Sequence, residues 1–408
     1  MKKMFFFMAV MFLLQSCGKS QGVVVEVSNP TDMVRMNEMV EIDYAEVSHR
    51  LNLAEDATIV VLNSEDAQVP YQVTFDGKLI FMPAALEAMS SSLYRIVEGT
   101  PDTFATYAIG AQYPQRVDDI AWENSSIAFR TYGPALQASG ERAYGYDAWV
   151  KCVDYPVVAD RYAAELDSAT IAEIARLKEF APDSAATLYN SVSYHVDHGN
   201  GLDYYKVGPT LGAGTAALID AQDNIVYPYC YEAFKILDNG PLRFTVGLRY
   251  RPFLFDGDTV VETRVIRLDE GSQLNRVRVV YHNLNKPARV VSGIVLHDRD
   301  GVMEYDASQG YAAYAEPADS TNGQMYLGMA YDSAVQTAEA RYFDDKEREE
   351  RGAEGHLIME RFYQPGEAFT YYTGAGWSKW GFDTPEDWFV YMRYYANALA
   401  NPLLVTIK

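Results

Sequence analysis

Apolar and polar positions alternate in twos along most of this chain, the period of strands with one buried face. "VVVEV" (23–27) and "TIVVL" (58–62) are β-branched runs. "YQVTFDGKLIF" (71–81) reads as a hairpin whose Asp76-Gly77 pair suits a type I′ turn. Farther on, "AWENSSIAFRTYG" (121–133) puts Ile127 and Phe129 on one face and Ala128 and Arg130 on the other. Long alternating segments follow in "PLRFTVGLRYRPF", "TVVETRVIRL", "NRVRVVYHNL" and "ARVVSGIVLH"; Val277 and Val279 share a face opposite Arg276, Arg278 and Val280. Two stretches have helical character. "DSATIAEIARLKEF" (167–180) carries Thr170 and Glu173 at capping-box spacing, with Ile171, Ile174, Ala175 and Phe180 as a partial stripe. "TPEDWFVYMRYYANAL" (384–399) opens with Thr384 as cap, Pro385 in the first turn and acids behind it.

These elements predict an all-β protein. Residues 17–115 form a small β-sandwich module, ending in a polar connector, "EGTPDTFATYAIGAQYPQRVDD" (98–119). Residues 116–408 form a large antiparallel β-sandwich with a helical insertion near 163–190. A closed barrel has the same strand pattern.

The N-terminus adds an address. Two lysines precede the apolar run Met4–Leu14, and "LQSC" places Cys17 at its end. Residues 1–16 read as a signal peptide too short to remain as a membrane span, and "LQSC" resembles a bacterial lipobox with Cys17 as the acylated residue. The expected protein is extracytoplasmic and held at the outer membrane or in the periplasm by an N-terminal lipid alone. Cys152 and Cys230 are the other cysteines, and the compartment permits a disulfide between them without requiring one.

A net charge of −22 disfavours nucleic acid and anionic headgroups. An acidic glycan would need a locally cationic pocket. The 31 tyrosines suit sugar stacking and β-sheet cores equally.

Three clusters carry candidate chemistry. "YHVDHGNGLDYYKVG" (194–208) crowds His195, Asp197, His198, Asp203, Tyr205 and Lys206 around a Gly-Asn-Gly turn. With 193–197 extended, His195 and Asp197 project to one side, and the glycines return Asp203, Tyr205 and Lys206 toward them. A metal would want two or three ligands such as His195, His198 and Asp203, but the spacing matches no zinc or calcium motif. Acid–base chemistry needs only His or Tyr within reach of a substrate proton. A polar loop with histidines on backbone groups is the plain alternative. No metal and no cofactor is expected. "GYDAWVKC" (145–152) places Asp147, Trp149 and Lys151 on one strand face, a sugar subsite or an ion pair beside a core-edge Trp. "YYTGAGWSKWGF" (371–382) reads as a Gly-rich binding loop, with Gly374 and Gly376 admitting a ligand and Trp377, Lys379 and Trp380 at its edge.

Together with "DNGPLRF" and "IRLDEGSQLNRVRVVY", these motifs resemble the domain-of-unknown-function family numbered 4861, over most of residues 22–408. The resemblance implies a sandwich of the galactose-mutarotase-like supersandwich kind in a secreted or lipid-anchored glycan-utilisation protein, without a settled activity. It marks Arg130, Asp147, Trp149, Lys151, His195, His198, Asp203, Tyr205 and Lys379. Those residue types fit proton abstraction next to a uronate carboxylate. The cation would be Arg130, Lys151 or Lys379, the base His195 or His198, and the acid Tyr205. A lyase or dehydratase acting on uronic-acid-containing oligosaccharides is the expected activity. A non-catalytic glycan-binding lipoprotein, or a hydrolase or epimerase on the same fold, is the alternative.

Overall fold

The computed structural model describes residues 22–408. The signal segment and Cys17 lie outside the described residues. The protein is an all-β sandwich built from antiparallel sheets, with few helices.

Its largest layer is a nine-stranded sheet that runs Tyr231–Asn239, Arg243–Tyr250, Asp258–Asp269, Leu274–His282, Phe369–Trp377, Met325–Ala330, Tyr311–Ala315 and Val302–Asp306, with Phe253–Phe255 paired to Asp258–Asp269. The alternation read from sequence holds here: Val277 and Val279 are sealed in the core while Arg276 and Arg278 face outward. Opposite lies a five-stranded sheet centred on Ala213–Ile219, Ala288–Leu296 and Gly355–Tyr363. Between them Val246, Ile266, Val277, Leu327, Tyr371, Ala216, Val290, Ile294, Leu357 and Met359 form the main core. The layers touch where Thr373 Oγ1 donates to the Ala213 carbonyl at 2.7 Å. A Cβ on Gly214 would sit 1.7 Å from that hydroxyl oxygen, so only glycine fits the approach.

A four-stranded sheet (Ile109–Tyr113, Asp119–Glu123, Ile127–Thr131, Asp147–Val150) adds one face to this core through Ile120, Trp122, Ile127, Phe129 and Ala148. Its first strand takes up part of the segment read as connector. Over its other face lie helices Val158–Glu165, Ser168–Lys178 and Pro182–Val192. The predicted helix starts one turn position earlier than its sequence spacing suggests. Asp167 is the cap and accepts from Thr170 N, which sits at the third helical position, and Glu173 pairs with Arg176. Ile174 is the buried residue of the stripe; Ile171 and Phe180 are exposed.

The first strands form two small sheets around Val25, Val27, Ile42, Val47, Val61, Phe81 and Ile96, with one helix, Tyr44–Leu51. The hairpin at Thr74–Lys78 is not a type I′ turn. Gly77 N bonds to Thr74 O, Thr74 N bonds to Lys78 O, and only Gly77 takes a positive φ, of 75°. That is a three-residue loop with a glycine bulge. The strand Leu404–Ile407 pairs with Val23–Ser28, which in turn pairs with Ser91–Glu98.

Helix Pro385–Ala400 closes the outer face of the nine-stranded sheet, burying Trp388, Phe389, Met392 and Ala396 against Tyr311, Ala313, Tyr326 and Ala330. Thr384 caps it in a full capping box with Asp387, as the sequence predicts. The expectation of a ligand loop at 371–377 is overturned: this stretch is a strand. A Cβ at Gly376 would lie 2.8 Å from the Trp388 ring, and one at Gly374 would lie 1.9 Å from Gln273 O. These glycines make room for the chain's own helix and neighbouring strand.

Candidate functional site

The outward face of the four-stranded sheet carries Asp119, Ala121, Glu123, Ala128, Arg130, Asp147 and Trp149, followed by Lys151. Alternation puts these residues opposite the main core, which by itself reads as solvent-facing. The helical insertion and residues 193–203 cover them instead, so all are buried.

Arg130 is the centre of this layer. It contacts the carboxylates of Asp147 and Asp203, the latter at 2.8 Å, and lies 3.8 Å from Asp119. Its guanidinium stacks over Tyr132 at 5.0 Å and over Trp149 at 5.2 Å. Burial pushes Asp203 well above the usual carboxylate range, and the neighbouring Asp147 adds to the rise. Burial likewise pushes Asp119 up to about 7 against the pull of Arg130 and Arg116. Lys151 Nζ is 2.8 Å from Glu123, whose carboxylate also accepts from Val157 N and Val158 N at the start of the first insertion helix. Arg130 and Lys151 are thus neutralised inside the protein and are not presented to a substrate anion. Trp149, expected as a sugar platform, is 2% exposed, with Tyr194 stacked on its ring at 4.8 Å.

Asp119 gives a pH prediction. Its folded pKa lies above its unfolded value, so its stabilising contribution is present in acid below the unfolded pKa and is lost as pH rises toward about 7. Asp119→Asn is therefore expected to gain on the wild type as pH rises. The advantage should grow by roughly 2–3 kcal/mol between about pH 5 and about pH 8 in urea titrations. An unchanged gap across that range would refute a buried, proton-holding Asp119.

Above this layer sits the histidine loop. Residues 194–195 form a turn rather than the extended segment expected, because Val196 N bonds back to Ser193 O. The glycines do return the chain: Asp203 N bonds Tyr194 O at 2.9 Å. His195 Nδ1 lies 2.8 Å from the Asp203 carbonyl and 3.7 Å from its carboxylate. A carbonyl only accepts, so Nδ1 carries the proton and the Nε2 lone pair is left outward. The His195 side chain is 47% exposed. His198 Nε2 meets the Ser193 carbonyl at 2.9 Å, which leaves its Nδ1 as the acceptor nitrogen. Tyr205 and Lys206 turn the other way. The Tyr205 ring packs against His297 in the main core, and its buried hydroxyl has no hydrogen-bond partner, so it does not reach the His195 side. Burial holds that phenol well above its usual range.

Lys379 joins three loops. Its ammonium is 3.5 Å from Asp197, bonds the Thr321 carbonyl at 3.0 Å and lies 5.0 Å over the Trp377 ring. Its side chain is 39% exposed. Trp377 is buried, its indole N–H held by Asn322 O, whereas Trp380 is 40% exposed. Of the predicted cations Lys379 is the one open to solvent, and of the two tryptophans in this stretch Trp380 is the open one. Reasoning from sequence missed Arg116, whose Nε donates to Tyr194 Oη at 2.8 Å. It also missed Arg161, which holds Asn200 and Gly201 O. No motif marks either, because both act through the fold of a distant loop.

Among the described residues no group of three or more His, Cys, Asp or Glu side chains is disposed to hold a metal ion. His195 and His198 each commit a ring nitrogen to a backbone carbonyl. Cys152 and Cys230 are separate free thiols.

The loop depends on one glycine. Gly201 has φ 94°, and a Cβ there would lie 2.0 Å from Val150 O and 2.7 Å from Lys151 Cα. Gly199 has φ 87° but open space around it. Gly201→Ala is expected to cost about 2–4 kcal/mol and Gly199→Ala only about 1, measured by chemical denaturation. Equal costs would mean that the approach to Val150 is not what fixes the loop.

The architecture is that of a sandwich domain with a polar layer buried under a helical flap. The chain belongs to a family described as "Domain of unknown function (DUF4861)", matched over residues 27–405. It is 26% identical over 426 residues to the uncharacterized protein P7 of Formosa agariphila, covering 99% of each chain. Among solved structures it is similar to an alpha-mannosidase from Enterococcus faecalis V583, with 9% identity, TM-score 0.48, and coverage of 95% of this chain and 46% of that one. A second is the GH36 alpha-galactosidase AgaB from Geobacillus stearothermophilus, with 12% identity, TM-score 0.34, and coverage of 66% and 41%. The chain spans about half the length of these solved structures or less.

Proposed function

We propose that this protein acts on uronic-acid-containing oligosaccharides by proton abstraction beside the carboxylate, in an extracytoplasmic setting with Cys17 as its lipid anchor. The observation that carries this reading is His195, whose protonated Nδ1 is fixed on a backbone carbonyl and whose basic Nε2 faces outward. Lys379 supplies an exposed positive charge for the sugar carboxylate, and Trp380 supplies an open ring for the apolar face of a pyranose. In this reaction His195 takes the proton α to the carboxylate. The C–H electron pair becomes the new C=C bond, the C–O bond at the β carbon breaks, and the leaving oxygen takes a proton. Mass spectrometry of products from a panel of uronate oligosaccharides tests it. An unsaturated fragment, or a product lighter by one water, is expected from the wild type and not from His195→Ala.

The second reading, a glycan-binding protein without turnover, is favoured by the exposed Trp380 and by the sealing of Arg130 and Lys151. It expects unchanged oligosaccharides with both proteins and weaker binding in Trp380→Ala alone.

A further inference from the structure

A cleft of about 880 Å³ opens on the outer face of the nine-stranded sheet, and none of its lining residues belongs to the histidine loop or to residues 377–381. Helix Pro385–Ala400 forms one wall, residues 34–41 form the other, and strands carrying Arg243, Arg267, Arg276 and Tyr372 form the floor. The volume falls in the range of about 300–1,000 Å³ typical of small-ligand sites.

We propose that this cleft is a second site, for a monoanionic, hydroxyl-rich ligand of the acidic oligosaccharide class, with Arg276 as the residue that holds the sugar carboxylate. Most of the lining charges are already matched. Arg243 is held by Asp269 and Glu41, Arg267 by Asp76, Glu38 by Arg35, and Asp332 lies 3.5 Å from Arg361. Arg276 is the exception: among the described residues it pairs with no carboxylate. In the sheet register it stands directly opposite Arg267 on one side and Tyr372 on the other. Two arginines facing each other across a strand pair repel, and an anion between them relieves that repulsion. The guanidinium fork matches a carboxylate bidentately.

The rest of the lining selects what carries the carboxylate. Tyr372, Tyr391, Tyr394 and Tyr395 form an aromatic side, with Tyr372 and Tyr395 edge to face at 5.7 Å. Such rings suit the apolar faces of pyranoses. Glu38, Glu41, Asp269 and Asp387 offer acceptors for hydroxyl protons and would repel a polyanion such as a nucleoside triphosphate. One carboxylate, several hydroxyls and flat apolar faces together describe a uronate-bearing sugar.

Calorimetric titration of the full chain with galacturonate oligosaccharides of about two to four units tests this. Arg276→Gln should weaken binding at least about tenfold, Arg276→Lys should recover part of it, and His195→Ala should leave it unchanged. The matching neutral galactose oligosaccharides should bind no better to the wild type than to Arg276→Gln. Arg276→Gln should melt no lower than the wild type, since it removes a repelled charge. Absence of binding, or equal affinity in wild type and Arg276→Gln, would overturn the proposal. Turnover that persists alongside that result would leave the reading of the histidine loop standing by itself.

Discussion

Arg130→Met is expected to cost about 3–5 kcal/mol of folding stability near neutral pH, because it leaves buried carboxylates without their counter-ion. The geometry sets the size of the effect. Asp147 and Asp203 both contact the guanidinium, Asp119 lies 3.8 Å away, and none of the three reaches solvent. Methionine restores most of the volume, so the loss would come from charge and hydrogen bonding more than from a void. Two further results should accompany it. The deficit should shrink as pH falls, since protonation removes the uncompensated charges. Asp147→Asn should cost less in the Arg130→Met background than alone, with a coupling above about 1 kcal/mol. A deficit below about 1 kcal/mol at neutral pH, unchanged in acid, would mean that the cluster is not an integrated ion network.

The second large effect concerns rate. His195→Gln is expected to lower kcat/KM on a uronate oligosaccharide by about 10²–10⁴, the usual contribution of a positioned general base. Glutamine keeps a polar side chain over Tyr194 but cannot take a proton. The loss should fall in kcat, with KM little changed, because Lys379 and Trp380 remain to hold the sugar. Activity above about a tenth of the wild type would remove His195 from the chemistry. His198→Gln separates the two histidines. Its ring nitrogen caps Ser193 O, so its replacement should act mainly through stability.

Local pattern made much of this protein legible, and physics explains where it stopped. Val277 and Val279 point inward as alternation requires, and Thr384 caps its helix because the cap is decided within three residues. The Gly-Asn-Gly return of Asp203 toward His195 was equally local. What lies over an outward-facing residue is not local. Arg130 and Trp149 fall opposite the main core in the sequence, yet a helical insertion that starts after them closes over that face. Gly374 and Gly376 suggest space for a ligand until Gln273 and Trp388, distant in sequence, occupy it. The cleft escaped notice for the same reason, since its walls come from opposite ends of the chain.

That meeting of chain ends also bears on how the protein is made. Val25 pairs with Ile407 on one side and with Tyr94 on the other. During synthesis and export, the strand that emerges first has an open edge until residues 404–407 have been delivered. An exposed β-branched edge is where newly made chains stick to one another. Yield at high expression should therefore be governed by how long that edge waits, and a chaperone acting on the emerging chain would have its most useful target in residues 23–28.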